Sequence, residues 1–274
     1  MSLVINTNMS SIDAQRNLWA TGQDLSVAMQ RLSSGLRINS AKDDAAGYAI
    51  ATNMTSQING VGQAINNSNN ANNMIQTSLG GMNQIQSILQ RMNELAVEAN
   101  DGTNAATSTL GDLDKEYQQL LSEVDRISSQ TTFNGTTVLS GAGTITFQIG
   151  ANSGNTMAVA FADATTASGS LSISGTALDT TTNAATALND VAYALTSIGA
   201  NEAKMGAYSN ALDFQVSNLQ SESENTTSAR SAIVDADFAA ESAQMTKDMV
   251  LQQAGISVLA QANQEPQMIL KLLQ

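Results

Sequence analysis

Apolar residues recur every seven positions along much of the chain, and this spacing constrains the fold more than any other feature. Seven-residue spacing places apolar side chains on one narrow face of a helix, as in coiled coils. The sequence therefore predicts a mainly α protein, a long antiparallel helical coiled-coil bundle in which the N- and C-terminal helices pair. The four series are Leu18, Leu25 and Leu32; Met54, Val61, Ile75, Met82 and Leu89; Val191, Ile198, Met205, Leu212 and Leu219; and Met249, Ile256 and Leu270.

The apolar pattern predicts five helices separated by polar joints and turns. The first should extend from about residue 11 to Gly35, and the second should contain a stutter near Ile85, where its companion apolar series shifts. Pro266 removes one backbone donor from the last helix, so we expect a kink or a pause there. The other four helices are expected at 43–100, 107–129, 183–226 and 232–274.

Two joints, at 33–42 and 225–231, are predicted to interrupt the helices. In the first, Asn39-Ser40 offers an N-cap, and Asp43 and Asp44 should lie in the first turn of the next helix, near its positive dipole end. Two other acidic pairs are also expected to mark helix starts rather than metal sites: Asp112 with Asp114, and Asp235 with Asp237.

A small β-hairpin region is predicted at 130–180, in the middle of the chain. Phe133-Asn134-Gly135 is a hairpin turn signal. Thr144–Ile149 and Thr156–Phe161 alternate apolar and polar residues with a period of two, the pattern of paired strands. Leu171–Ser174 is expected to add a further short strand.

Composition argues against several classes of function. The chain has no Cys and no His, which removes the usual nucleophile–base pairs and most zinc sites, so we expect neither an enzyme nor a metal or other cofactor. A net charge of −13 disfavours nucleic-acid binding. Long apolar runs are absent, so we expect no membrane insertion, and the first residues do not have the pattern of a cleaved signal peptide.

Three stretches of the sequence resemble bacterial flagellin. The first is Leu32–Gly47, Leu-Ser-Ser-Gly-Leu-Arg-Ile-Asn-Ser-Ala-Lys-Asp-Asp-Ala-Ala-Gly; the others are Ile5–Asn8 with Ala14–Leu18, and Ser257–Gln264 with Leu270–Gln274. The resemblance implies a short flagellin. Its inner core would be the terminal helices 1–42 and 231–274, and its outer core bundle would be 43–230, which includes the hairpin region. Residues 163–182 leave little room for a variable outer domain.

The same resemblance implies a filament subunit for swimming motility. The subunit would leave the cell through the flagellar type III channel without a cleaved signal peptide. Its partners would be copies of itself, an export chaperone, a filament cap protein and hook-associated proteins. The terminal helices, expected to be largely disordered alone, would fold on assembly. The expected polymerisation seams are Leu18, Leu25, Leu32, Met249, Ile256, Leu259 and Leu270. The alternative is a hook–filament junction protein that does not polymerise alone.

A surface of the outer core resembles the flagellin segment that a host Toll-like receptor recognises. The matching residues are Arg91, Leu95 and Glu116. Arg91 and Leu95 are four residues apart and are therefore expected to share one helix face. The alternative is that this face serves filament packing alone.

Overall fold

A computed structural model describes residues 7–104, 107–141, 143–167 and 170–272, with only the backbone described for 104, 107 and 265–272. The described part of the chain forms five α-helices, a short 3₁₀ turn and four strands. The helices are α1 (Met9–Ser34), α2 (Ala45–Ala99), α3 (Thr107–Gln130), α4 (Thr181–Val234) and α5 (Phe238–Leu272); the 3₁₀ turn is Gly102–Asn104; and the strands are β1 (Thr132–Phe133), β2 (Thr136–Thr137), β3 (Thr144–Gln148) and β4 (Thr156–Ala160). The predicted mainly α bundle with paired terminal helices is confirmed.

The chain divides into two compact units. The terminal unit comprises residues 1–57 and 225–274, and the central unit comprises residues 58–224. The division at 43 and 230 expected from the family resemblance concerns layers of an assembly, and it stays a prediction.

The core of the central unit follows the seven-residue repeats. On α4, Val191, Ile198, Met205 and Leu212 are all buried at this spacing. On α2 the predicted stutter near Ile85 is absent, because two buried seven-residue series keep one register along the helix. Those series are Val61, Ser68, Ile75, Met82 and Leu89, and Ala64, Ala71, Ser78, Ile85, Met92 and Ala99. Large apolar side chains of α3, among them Tyr117 and Val124, complete the same cluster.

Two antiparallel hairpins lie in the described part of 130–180. β1 and β2 are joined through Asn134 and Gly135, which have φ of 48° and 80°, the left-handed values that a two-residue hairpin turn requires. β3 and β4 pair from Thr144↔Ala160 to Gln148↔Thr156. The expected strand at Leu171–Ser174 is wrong, because Ser172 has a φ of 59° and breaks the extended path.

Helix α3 holds the loop that follows β4 through side-chain hydrogen bonds. Asp125 accepts from the backbone N–H and the hydroxyl of Thr166, both at 2.8 Å. Asp114 accepts from the backbone N–H of Leu178 at 2.8 Å. Asp112 instead pairs with Lys115. Because α3 begins at Thr107, the prediction that Asp112 and Asp114 mark its start is wrong.

The first joint is present, but its capping residues differ from those predicted. Gly35 ends α1 with a φ of 71°. Asp43 accepts hydrogen bonds from the backbone N–H groups of Asn39 and Ser40 and from the Ser40 hydroxyl, and the bonds from Ser40 lower the pKa of Asp43. Asp44 then accepts from the N–H groups of Ala46 and Gly47 and so caps α2. The predicted cap at Asn39-Ser40 is wrong because Asp43 draws that segment into a turn.

The second joint lies further along the chain than predicted. α4 continues through 225–231 to Val234, because that stretch contains no glycine or proline and its Ser and Thr cost a helix little. Asp237 accepts from the N–H groups of Ala239 and Ala240 and caps α5. The two joints pair through antiparallel backbone bonds, Arg37 N to Val234 O at 2.7 Å and Ala236 N to Gly35 O at 3.0 Å.

Helices α1 and α5 pack antiparallel in the terminal unit. Asn8 donates to the carbonyl of Ala262 near one end of the pair, at 2.7 Å, and Arg31 pairs with Glu241 near the other, at 3.5 Å. The helical backbone of α5 passes through Pro266 to Leu272, so the predicted pause there is absent.

Candidate functional site

Arg91 joins helices α2 and α3 on the surface of the central unit. Its Nε lies 2.9 Å from Oε1 of Glu116 on α3, and its Nη1 lies 3.1 Å from Oε2 of Glu94 one turn along α2. The hydrogen bond to Glu116, followed by that to Glu94, raises the pKa of Arg91. The side chains of Arg91 and Glu116 are 48% and 46% exposed, so a planar guanidinium flanked by two carboxylates faces solvent.

Leu95 does not lie on this surface. Its side chain is fully buried within the core of the central unit. The predicted pairing of Arg91 and Leu95 on one exposed face is therefore wrong for Leu95. In its place, Glu94 and Glu116 are the neighbours that Arg91 presents to solvent.

The three predicted seam residues of α1 are buried or half-buried within the single chain, and Leu18 lies against α5. Leu25 is buried, and Leu18 and Leu32 are half-buried. A Cβ added at Gly255 of α5 would lie 3.1 Å from Cγ of Leu18, so this glycine allows the two helices to approach closely. The α1 side of the predicted seam thus contributes to contacts inside one subunit.

The predicted seam residues of α5 are more exposed. Met249 and Ile256 are exposed, Ile256 by 57%, and Leu259 is half-buried. The side chain of Leu270 lies outside the described residues. Whether these positions form contacts between copies stays a prediction.

A second apolar stripe on α1 escaped the sequence analysis. Ile12 and Trp19 are seven residues apart and both exposed, and Met9 and Val27 flank them. On α5, Leu251 and Val258 are likewise seven residues apart and exposed. The signal in the sequence is the same seven-residue spacing, which the stronger leucine series on α1 obscures.

Apart from the leucines of α1, the faces of α1 and α5 that meet carry small or polar side chains. Ser11, Ala14 and Ala28 are buried on α1, and Ala262 is buried on α5. The hydroxyl of Ser11 donates to Oδ1 of Asn263 at 2.8 Å. Such a face aligns two helices but buries little large apolar surface.

The described residues offer no group of three acidic side chains that could hold a metal ion. In the same ranges, no helix combines the length and the hydropathy needed to cross a lipid bilayer.

Two family models match the chain. The model described as the bacterial flagellin N-terminal helical region matches residues 5–144, and that of the C-terminal helical region matches residues 188–273. The chain belongs to the bacterial flagellin family. Only residues 145–187 separate the two flagellin matches, so the chain is a short-form member with no large variable domain.

Individual flagellins match over the whole chain. A flagellin of Halalkalibacterium halodurans is 38% identical over 272 residues, which cover 99% of this chain and 100% of that protein. A flagellin of Bacillus subtilis is 36% identical over 301 residues, covering 98% and 99%. A crystal structure of Bacillus cereus flagellin is 30% identical and covers 60% of this chain and 94% of its own, with a TM-score of 0.49.

Membership of the flagellin family settles the class of function. Flagellins are structural proteins rather than enzymes, which confirms the expectation drawn from the missing His and Cys. They polymerise with themselves into the extracellular flagellar filament used for motility. The predicted self-association and extracellular location are therefore confirmed at this level.

Proposed function

We propose that this chain is exported by the flagellar type III system and adds to the end of a growing filament, where α1 and α5 complete their folding. The observation that supports the proposal is the unequal burial of the two units. The central unit has a large enclosed core and leaves Val97, Tyr193 and Phe214 exposed, whereas the smaller terminal unit leaves many more large apolar residues exposed, among them Ile12, Trp19, Val250 and Ile256. Exposed apolar surface of this extent needs a partner.

Folding on assembly follows from the same imbalance. Leu25 is the one large apolar side chain of α1 that is buried. Helices without a buried apolar face are marginal in water, because backbone ordering opposes them. Contacts with neighbouring copies would supply the missing burial.

The partners follow from this scheme. An export chaperone would cover exposed apolar residues of α5, such as Val250 and Leu251, before export. A cap protein and hook-associated proteins would meet the ends of the growing filament. Type III export and these three partners come from the family resemblance.

Seeded growth tests the main proposal. Purified monomer would be mixed with short filament fragments while light scattering, helix ellipticity and amide exchange are followed. We expect scattering and helix signal to rise together, and amides of Met9–Ser34 to exchange quickly in the monomer and slowly in the filament. Protection of these amides already in the monomer would contradict folding on assembly. Absence of growth from a fully helical monomer would favour the hook–filament junction protein.

A second proposed role is recognition by the host Toll-like receptor for flagellin. The supporting observation is the half-exposed cluster of Arg91, Glu94 and Glu116, which two helices hold in place. A guanidinium fixed by two carboxylates loses little side-chain entropy when a receptor binds it. Leu95, being buried, would act by positioning α2 rather than by contact.

Substitution of Arg91 tests receptor recognition. Arg91→Ala should abolish receptor activation without changing the thermal unfolding of the monomer, because Arg91 is exposed. Lys204→Ala is the matched control, since it removes an exposed cation from α4 of the same unit. Unchanged signalling by Arg91→Ala in a reporter cell assay would exclude this cluster as the recognition site.

A further inference from the structure

We propose that Trp19 anchors a contact between copies of this chain and becomes buried against a second copy in the filament. This inference rests on the proposed function, which it extends to a particular residue. Trp19 is the only tryptophan in the sequence, and it is 70% exposed on α1. A large aromatic side chain that stays exposed to water does not gain the free energy that its burial would contribute.

Trp19 belongs to a stripe rather than to a scatter of exposed residues. Ile12, seven residues earlier, is 48% exposed, and Met9 and Val27 extend the apolar surface on either side. At 3.6 residues per turn, Ile12 and Trp19 lie within about 20° of each other around the helix axis. The face of α1 that meets α5 of the same chain is a different one, defined by Ala14, Leu25 and Ala28. The stripe is therefore available in the isolated subunit.

A second copy is the occupant that the chemistry of the stripe favours. The cations beside the stripe are paired: Arg16 with Asp13 at 3.3 Å, and Arg31, four residues after Val27, with Glu241 at 3.5 Å. An anionic membrane or a nucleic acid would require a cluster of unpaired cations. The other side chains on this side of α1, Gln23 and Gln30, are neutral.

A second copy also presents exposed apolar residues at the same seven-residue spacing. Its α5 exposes Leu251 and Val258, seven residues apart, as are Ile12 and Trp19. Helices with the same seven-residue apolar spacing can pack side by side along their length. Because the family polymerises with itself, every subunit in the filament meets such neighbours.

Trp19 has the properties of an interface hot spot. Tryptophan is enriched among residues whose truncation weakens binding most, and apolar neighbours that exclude water strengthen the effect. Replacing Trp19 with serine should therefore raise the critical concentration for filament growth about tenfold or more. Trp19→Phe keeps an aromatic ring and should recover most of the affinity.

The uniqueness of Trp19 allows its burial to be observed directly. Monomer would be added to short filament fragments, and tryptophan emission, acrylamide quenching and light scattering would be recorded together. Monomer alone and monomer with anionic lipid vesicles would serve as controls. Critical concentrations would then be measured for the wild type, Trp19→Ser and Trp19→Phe, after confirming equal helix content of the monomers.

We expect emission to shift to shorter wavelength and quenching to fall in step with scattering. Filament growth with unchanged emission, or growth of Trp19→Ser at the wild-type critical concentration, would overturn this inference while leaving the proposed function intact. A shift produced by vesicles and not by seeds would assign the stripe to lipid and also overturn it. Failure of the wild type to grow would overturn the proposed function, and this inference with it.

Discussion

Two adjacent glycines on α2 offer a stringent test of the packing in the central unit. A Cβ added at Gly80 would meet nothing within 4 Å, whereas a Cβ added at Gly81 would lie 2.5 Å from Cδ1 of Leu139 and 3.0 Å from Oγ1 of Thr131. Leu139 is fully buried, and the Thr131 hydroxyl donates to the carbonyl of Ile127. Neither neighbour is therefore free to move aside.

The structure predicts that Gly80→Ala raises the stability of the central unit and that Gly81→Ala lowers it. In a helix interior, Gly→Ala stabilises by about 0.5–1 kcal/mol, because alanine loses less backbone entropy on folding. Gly80→Ala should gain this amount. Gly81→Ala gains the same amount but also overpacks a buried site, which costs about 1–3 kcal/mol. We therefore expect Gly81→Ala to be less stable than Gly80→Ala by about 1–3 kcal/mol.

Thermal unfolding would measure the difference. For a unit of this size each kcal/mol shifts Tm by about 2–4 °C, so the two variants should differ by about 2–12 °C. Leu139→Ala removes the methyl groups that Gly81→Ala would strike. In that background Gly81→Ala should cost less than in the wild type, because only the contact with Thr131 remains. Equal Tm values for Gly80→Ala and Gly81→Ala in the wild-type background would refute the reasoning.

Two hydrogen-bonded aspartates give further predictions. Asp125→Ala should destabilise the central unit by about 1–3 kcal/mol and speed amide exchange at Thr166, because both donors of Thr166 lose their acceptor. Unchanged exchange at Thr166 would show that α3 does not hold the loop. Asp43 has a lowered pKa, so its contribution to the first joint is complete above its unfolded value of about 3.9 and is lost as pH falls through the folded value. Acid titration of the Ser40 amide shift by NMR should give a midpoint below that value, and Asp43→Asn should abolish the titration; a midpoint at or above the unfolded value would contradict the assignment.

The helical core could be predicted from the sequence because each helix repeats its apolar residues at a short and regular spacing. Val191, Ile198, Met205 and Leu212 each reinforce one face of α4, so an error at one position leaves the pattern intact. The stutter predicted near Ile85 was wrong, because the small residues Ala71 and Ser78 already continue the buried series to which Ile85 belongs. The hairpin at Asn134-Gly135 was predictable because few residues adopt positive φ.

Helix ends and the exposure of single residues depended on contacts that the sequence does not display. The second joint moved from 225–231 to 235–237 because pairing between Ala236 and Gly35 places it there. Leu95 lies about 40° around α2 from Arg91, and the edge of the core falls between them. A shared helix face therefore does not imply shared exposure.

The two units use the same seven-residue repeat to opposite effect. In the central unit the repeat faces other parts of the same chain, and side chains such as Met82 and Met205 are enclosed by them. In the terminal unit the meeting faces of α1 and α5 combine Leu25 with small residues such as Ala14 and Ala28, and large residues such as Trp19 and Ile256 are exposed.

Burial free energy scales with the apolar area removed from water. The small residues between α1 and α5 therefore set the geometry of the helix pair, and the outward residues hold most of the free energy that the terminal unit can still gain. Substitutions on the outward stripes should weaken the filament more than they weaken the monomer, and substitutions in the central core should do the reverse. This division lets one chain encode both a stable subunit and its assembly.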